Sequence, residues 1–186
     1  MTRDLLKNEH VRLAVKLTDK EGWVPLHYAV KTGNEYLTEL LLKEDENTAY
    51  MQDNECRTAL YIAADSDSWR IVEMIIKYYP DCSEIVDKKG WNALHYAAKG
   101  GRRNTIRRIM SNLYNEKNVD GNTPLHHLPN SNLLTSHRLV DHPRVDKLAV
   151  NKKDQIVLDV AYGKAEDPDP ESDKRTREIK KVSTFN

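Results

Sequence analysis

The sequence predicts an all-α solenoid of stacked helix–turn–helix units with short β-hairpin tips, and three observations carry that prediction. The first is an internal repeat. Asp19-Lys-Glu-Gly-Trp-Val-Pro-Leu-His-Tyr-Ala-Val returns as Asp53-Asn-Glu-Cys-Arg-Thr-Ala-Leu-Tyr-Ile-Ala-Ala, then as Asp87-Lys-Lys-Gly-Trp-Asn-Ala-Leu-His-Tyr-Ala-Ala. Asn118-Val-Asp-Gly-Asn-Thr-Pro-Leu-His-His-Leu follows, and Asn151-Lys-Lys-Asp-Gln-Ile-Val-Leu-Asp-Val-Ala is a weaker fifth copy. The shared leucine falls at Leu26, Leu60, Leu94, Leu125 and Leu158, at spacings of 34, 34, 31 and 33 residues. Such periods mark small units that bury their apolar faces only against one another. The second observation is an apolar stripe at i, i+3, i+4 in the latter half of copies one to three, the signature of one buried helix face. The third is length: 186 residues can enclose a core without disulfides or metal.

Each part of the unit follows from its residues. An Asp or Asn opens a tight turn by bonding the local backbone through its side chain. Gly22, Gly90 and Gly121 sit where that turn takes positive φ. A short helix follows, with Thr58 and Thr123 as candidate caps and Pro25 and Pro124 suited to its first position. Gly33 and Gly101 end it. The second helix carries Leu37, Leu40 and Leu41 in copy one, and Ile71, Met74 and Ile75 in copy two. In copy three the stripe is Ile106, Ile109, Met110 and Leu113. Copy two departs from the pattern, with Cys56 at the turn glycine and Asp67 at the helix-stop glycine. Pro129 should break the first helix of copy four, so distortion is expected around residues 128–138.

The resulting division has repeats at 19–52, 53–86, 87–117, 118–150 and 151–164. Residues 1–18 read as the remnant of a preceding repeat, since Leu5-Leu6-Lys7 resembles Leu41-Leu42-Lys43, and the first face lacks a polar cap. Residues 165–186, charged and poor in large apolar groups, read as a disordered tail.

Composition narrows function. With 29 basic and 29 acidic residues the chain is neutral overall, which disfavours a globally basic nucleic-acid binder. No run of about 18 apolar residues predicts a membrane span, and the N-terminus lacks the apolar centre of a signal peptide. Two cysteines, Cys56 and Cys82, fit a reducing, cytoplasmic setting. No catalytic motif, metal-ligand set or cofactor fingerprint is present. His27, His95 and His126 share one repeat position, which predicts a structural tie between turn backbones. Neutrality conceals a pattern: copies one and two carry −4 each and copy three carries +6. Within copy three, Arg102, Arg103, Arg107 and Arg108 cluster beside Lys99. They read either as a solvated face or as a docking patch for carboxylates or phosphates, and in the latter case as a peripheral membrane or phosphate-binding adaptor.

The repeat resembles the ankyrin repeat, whose unit is about 33 residues with a T-P-L-H-x-A signature. That resemblance implies a non-catalytic protein–protein interaction module whose partner lies in a concave groove. By the same resemblance the groove positions are Lys20, Glu21, Trp23 and Lys31; Asn54, Glu55, Arg57 and Asp65; and Lys88, Lys89, Trp91 and Lys99. Trp23, Arg57 and Trp91 are of the types that often dominate interface energy. The alternative for the two tryptophans is packing on a neighbouring hairpin. Gly22–Val30, Pro80–His95 and Val145–Asp159 further resemble plant ankyrin proteins of the accelerated-cell-death type. Membership would imply defence and stress signalling and a membrane-embedded PGG region. The polar ending here lacks that region, which suggests a truncated paralogue, an incomplete gene model, or a soluble decoy of a full-length membrane relative.

Overall fold

A computed structural model describes residues 13–109, 113–128 and 142–162. The described residues include the helices α1 (Pro25–Lys31), α2 (Glu35–Glu44), α3 (Ala59–Asp65), α4 (Trp69–Tyr78), α5 (Ala93–Lys99), α6 (Arg103–Ile109) and α7 (Val157–Tyr162). Short 3-10 turns occupy Glu46–Tyr50, Pro80–Glu84 and Pro124–His127. The fold is the expected all-α repeat solenoid: α1, α3 and α5 stack on one side, α2, α4 and α6 on the other. The repeat leucines Leu26, Leu60, Leu94 and Leu125 lie in the shared core at 2% exposure or less.

The turn chemistry recurs five times. Asp19, Asp53, Asp87, Asn118 and Asn151 each use one side-chain oxygen to accept the N–H groups two and four residues on, at 2.8–3.1 Å. Gly22, Gly90 and Gly121 have φ of 79°, 69° and 78°. Cys56 and Asp67 occupy the same left-handed region at 62° and 56°, and so does Asp154 at 55°, a position the sequence reading did not single out. Successive tips are joined by single backbone bonds: Asn54 N–H to Glu21 O, Lys88 N–H to Glu55 O, Val119 N–H to Lys89 O and Lys152 N–H to Asp120 O. Among the described residues these tips are turns linked edge to edge, without a strand. Three of the links are 2.9–3.0 Å, but the one following Cys56 is 3.2 Å. A non-glycine residue there costs about 1 kcal/mol. Cys56→Gly should therefore stabilise the protein by about that amount in urea unfolding. Asp67→Gly should give no such gain, because the Asp67 carboxylate accepts the Thr105 hydroxyl at 2.9 Å. Equal gains from both changes would contradict this account.

Several expectations are corrected. Pro25 does open α1, but Thr58 caps nothing: its hydroxyl is buried without a partner. The cause is Tyr61, which stands where copies one, three and four carry histidine and has no ring nitrogen to offer. Thr123 spends its hydroxyl on His126 Nδ1 at 2.9 Å. In α2 the buried residues are Thr38, Leu41 and Leu42, whereas Leu37 is exposed. Thr105, the Leu37 counterpart in copy three, binds toward the repeat before it. In α4, Val72 joins Ile71 and Ile75 in the core while Met74 is half-buried. Met110, the Pro129 break, the remnant helix end at Leu5–Lys7 and the tail at 165–186 also lie outside the described residues. The first helix of copy four is a 3-10 turn, ending before Leu128.

Candidate functional site

The tips and first-helix ends place the nominated residues in register. Lys20 and Glu21, Asn54 and Glu55, and Lys88 and Lys89 are exposed at successive tips; Lys31, Asp65 and Lys99 are exposed at the ends of α1, α3 and α5. Trp23, Arg57 and Trp91 are only half-exposed, because each has partners within the array.

Trp23 donates from Nε1 to Asp53 Oδ2 of the next tip at 3.3 Å and meets Tyr28 edge-on at 5.1 Å. Trp91 lies 4.2 Å from the His127 ring of the next repeat and carries the Lys99 ammonium over its face at 5.4 Å. Arg57 is clamped by Asp53, with Nε and Nη2 at 2.9 and 2.7 Å from Oδ2. Burial alone would raise the Asp53 carboxyl, but the Arg57 bond and the turn N–H groups outweigh it and hold it below the usual range. Packing of Trp23 and Trp91 on the neighbouring repeat is thus what the contacts show.

Why Arg57 exists follows from a pairing that sequence reasoning missed. Tyr28 bonds Asp19, Tyr96 bonds Asp87 at 2.6 Å, and His127 receives Asn118 Nδ2 at 3.3 Å, each nine residues from its turn partner. Copy two has Ile62 at that position, which cannot bond Asp53, and Arg57 does so instead. The recurring offset of nine was the available signal.

The histidines tie neighbouring repeats together. Nδ1 of His27, His95 and His126 accepts the N–H of Val24, Asn92 and Thr123 at 3.1–3.3 Å. Nε2 donates to Arg57 O, Asn122 O and Gln155 O of the following copy at 3.4, 3.0 and 3.2 Å. Burial pushes His95 down to about 4. His127 also falls to about 4, through burial and the neighbouring His95 and His126. His27 and His126 are lowered for the same first reason. Among the described residues no group of three His, Cys, Asp or Glu could hold a metal ion. Cys82 is buried, which raises its thiol to about 12 and keeps it unreactive.

The arginine cluster divides. Arg102 Nε donates to Asp65 O at 2.9 Å, and Arg108 pairs with Glu73 at 2.8 Å; Arg103 and Arg107 are exposed. Arg70–Glu35 at 3.6 Å and Lys88–Glu55 at 3.7 Å likewise join a cation to a carboxylate of the preceding repeat. Part of the acidic-to-basic polarity is therefore spent inside the array. A 120 Å³ cavity lies between copies one and two, lined by Gly33, Glu35, Asp67, Ser68, Trp69 and Arg70 among others. No described helix is long and apolar enough to cross a membrane.

A family model described as "Ankyrin repeats (3 copies)" matches residues 2–85 and 71–151. A putative ankyrin repeat protein of Acanthamoeba polyphaga mimivirus is 34% identical over 45% of this chain. The human transient receptor potential cation channel subfamily A member 1 is 28% identical over 54%, and an ankyrin repeat domain-containing protein of Stachybotrys chartarum is 28% identical over 66%. The chain spans 11%, 9% and 6% of their respective lengths. These viral, human and fungal relatives do not support the plant accelerated-cell-death resemblance.

Proposed function

The chain belongs to the ankyrin-repeat family, and from that premise we propose that it is a non-catalytic protein-binding module whose partner lies along a concave face made by the tips and first helices. One observation carries the reading: side chains at the same two tip positions are exposed in successive repeats, held in register by the tip-to-tip bonds. Such a face presents a regular row of contacts on a rigid support. Exposed Lys20, Glu21, Lys31, Asn54, Glu55, Asp65, Lys88, Lys89 and Lys99 supply its polar contacts. The half-exposed Trp23, Arg57 and Trp91 supply its anchors, their internal bonds reducing the side-chain entropy lost on binding. Biologically, we propose a role in defence or stress signalling, and two free cysteines favour the cytoplasm.

Affinity purification with quantitative mass spectrometry tests this. Trp23→Ala/Trp91→Ala should reduce retention of specific partners by tenfold or more. Lys31→Glu/Lys99→Glu, which leaves the tip bonds intact, should do the same. A folded Lys31→Glu/Lys99→Glu variant that retains every partner would overturn the proposal.

A further inference from the structure

On the opposite side from the tips, the second helices carry an ordered sequence of charges. Glu35 of α2 receives Arg70 of α4, and Glu73 of α4 receives Arg108 of α6. Each carboxylate is thus answered by an arginine one repeat later. The series ends on α6, where Arg103 and Arg107 are exposed and no described carboxylate forms an ion pair with them. Copy four (118–150) is neutral, and its sequence has no Asp or Glu between Gly121 and Val140. Trp69 of α4 carries two guanidinium groups over its ring, that of Arg70 at 4.7 Å and that of Arg108, on the same helix as Arg103 and Arg107, at 5.0 Å.

We infer that the outer-helix face formed by Trp69, Arg103, Arg107 and Arg108 is a second docking surface, and that its occupant is an acidic segment of a protein partner. It rests on the interaction-module reading but uses a different face. Charge complementarity sets the sign of the ligand. Residue type sets its geometry: guanidinium forks grip carboxylates through two parallel bonds, which an ammonium cannot do. Arg103 and Arg107 are one helical turn apart, a rise of about 6 Å. That spacing suits carboxylates two residues apart on an extended chain, about 6.7 Å. The half-exposed indole of Trp69, in contact with Arg108, adds apolar surface for the intervening side chain. A membrane fits less well, since a continuous anionic surface would also meet the Glu35 and Glu73 carboxylates.

The test uses fluorescence anisotropy with a labelled octaglutamate peptide and the full chain at low salt. Binding should weaken at least tenfold in Arg103→Glu/Arg107→Glu, and several-fold in Arg103→Lys/Arg107→Lys, which keeps charge but loses the fork. Lys31→Glu/Lys99→Glu should change it less than twofold, so failure of the concave-face reading and failure of this one separate. Circular dichroism confirms that each variant is folded. Three results would overturn the inference: no peptide binding, equal loss in the Lys31→Glu/Lys99→Glu variant, or unchanged affinity in the lysine variant. Sedimentation with phosphatidylserine vesicles that depends on Arg103 and Arg107 while the peptide does not bind would also overturn it, in favour of a membrane.

Discussion

Acidification from pH 7 to pH 4 should strip several kcal/mol of stability from this protein, with the steepest loss between about pH 6 and pH 4.5. His95 and His127 titrate near 4 in the fold and near 6.5 when unfolded, so the unfolded chain binds more protons across that interval. Their stabilisation is complete above the unfolded value and disappears as pH falls through the folded one. A depression of this size corresponds to roughly 3 kcal/mol for each ring, an upper figure for a coupled pair whose centroids are 5.7 Å apart. Burial enforces it at both rings, and at His127 the Asn118 Nδ2 donor facing Nε2 adds to it. The depressed turn carboxylates of Asp19 and Asp53 act lower, below their usual value near 3.8, and do not shape this window. Urea titrations across the range measure the loss. His127→Tyr, which places at this position the residue found at Tyr28 and Tyr96, should flatten the dependence. Stability that is level from pH 7 to pH 4.5 would refute the assignment.

Gly22→Ala should cost about 2–3 kcal/mol, against about 1 kcal/mol for Gly33→Ala. Both glycines have positive φ, at 79° and 68°. They differ in what a methyl group would meet. At Gly22 it would come within 2.8 Å of both Asn54 N and Asn54 Oδ1, whereas at Gly33 nothing lies within 4 Å. The Asn54 N–H donates to Glu21 O, and the Asn54 amide donates to Lys20 O at 2.7 Å. An alanine at 22 therefore strains its own turn and forces apart two bonds to the next tip. Comparing the two variants in urea isolates the second cost, and equal destabilisation would show that the tip links contribute nothing.

The repeat, its turns and the histidine ties were legible because each depends on residue types at fixed offsets within one copy. The positive φ at Cys56 and Asp67 was legible for the same reason: aligned glycines revealed what the backbone required there. Interactions between copies were harder to read. Arg57 looked like a free anchor because nothing local showed that Ile62 had vacated the bond to Asp53. The arginine cluster looked uniform along the chain, yet Arg102 and Arg108 reach back to residues 37 and 35 positions earlier. The acidic and basic blocks were visible as sums, but not the cross-repeat pairs that consume much of their difference. Trp69 gave no sequence signal at all, since it lacks a counterpart in the other copies.

The carbonyl oxygens that the histidines reach already serve their own turns. Arg57 O accepts Asp53 N–H, Asn122 O accepts Asn118 N–H, and Gln155 O accepts Asn151 N–H, at 2.9–3.0 Å. One atom thus closes a turn and holds the repeat before it, using both lone pairs. Opening any such turn loosens the neighbour's grip, which makes adjacent copies melt as a unit rather than singly. Copy two breaks the chain of shared acceptors. Tyr61 bonds Ile85 O, leaving Trp91 O to Asp87 alone, so opening the turn of copy three costs copy two the Lys88-to-Glu55 tip link but no tie from position 61. Cooperativity has a seam there, written by a single replacement of imidazole with phenol.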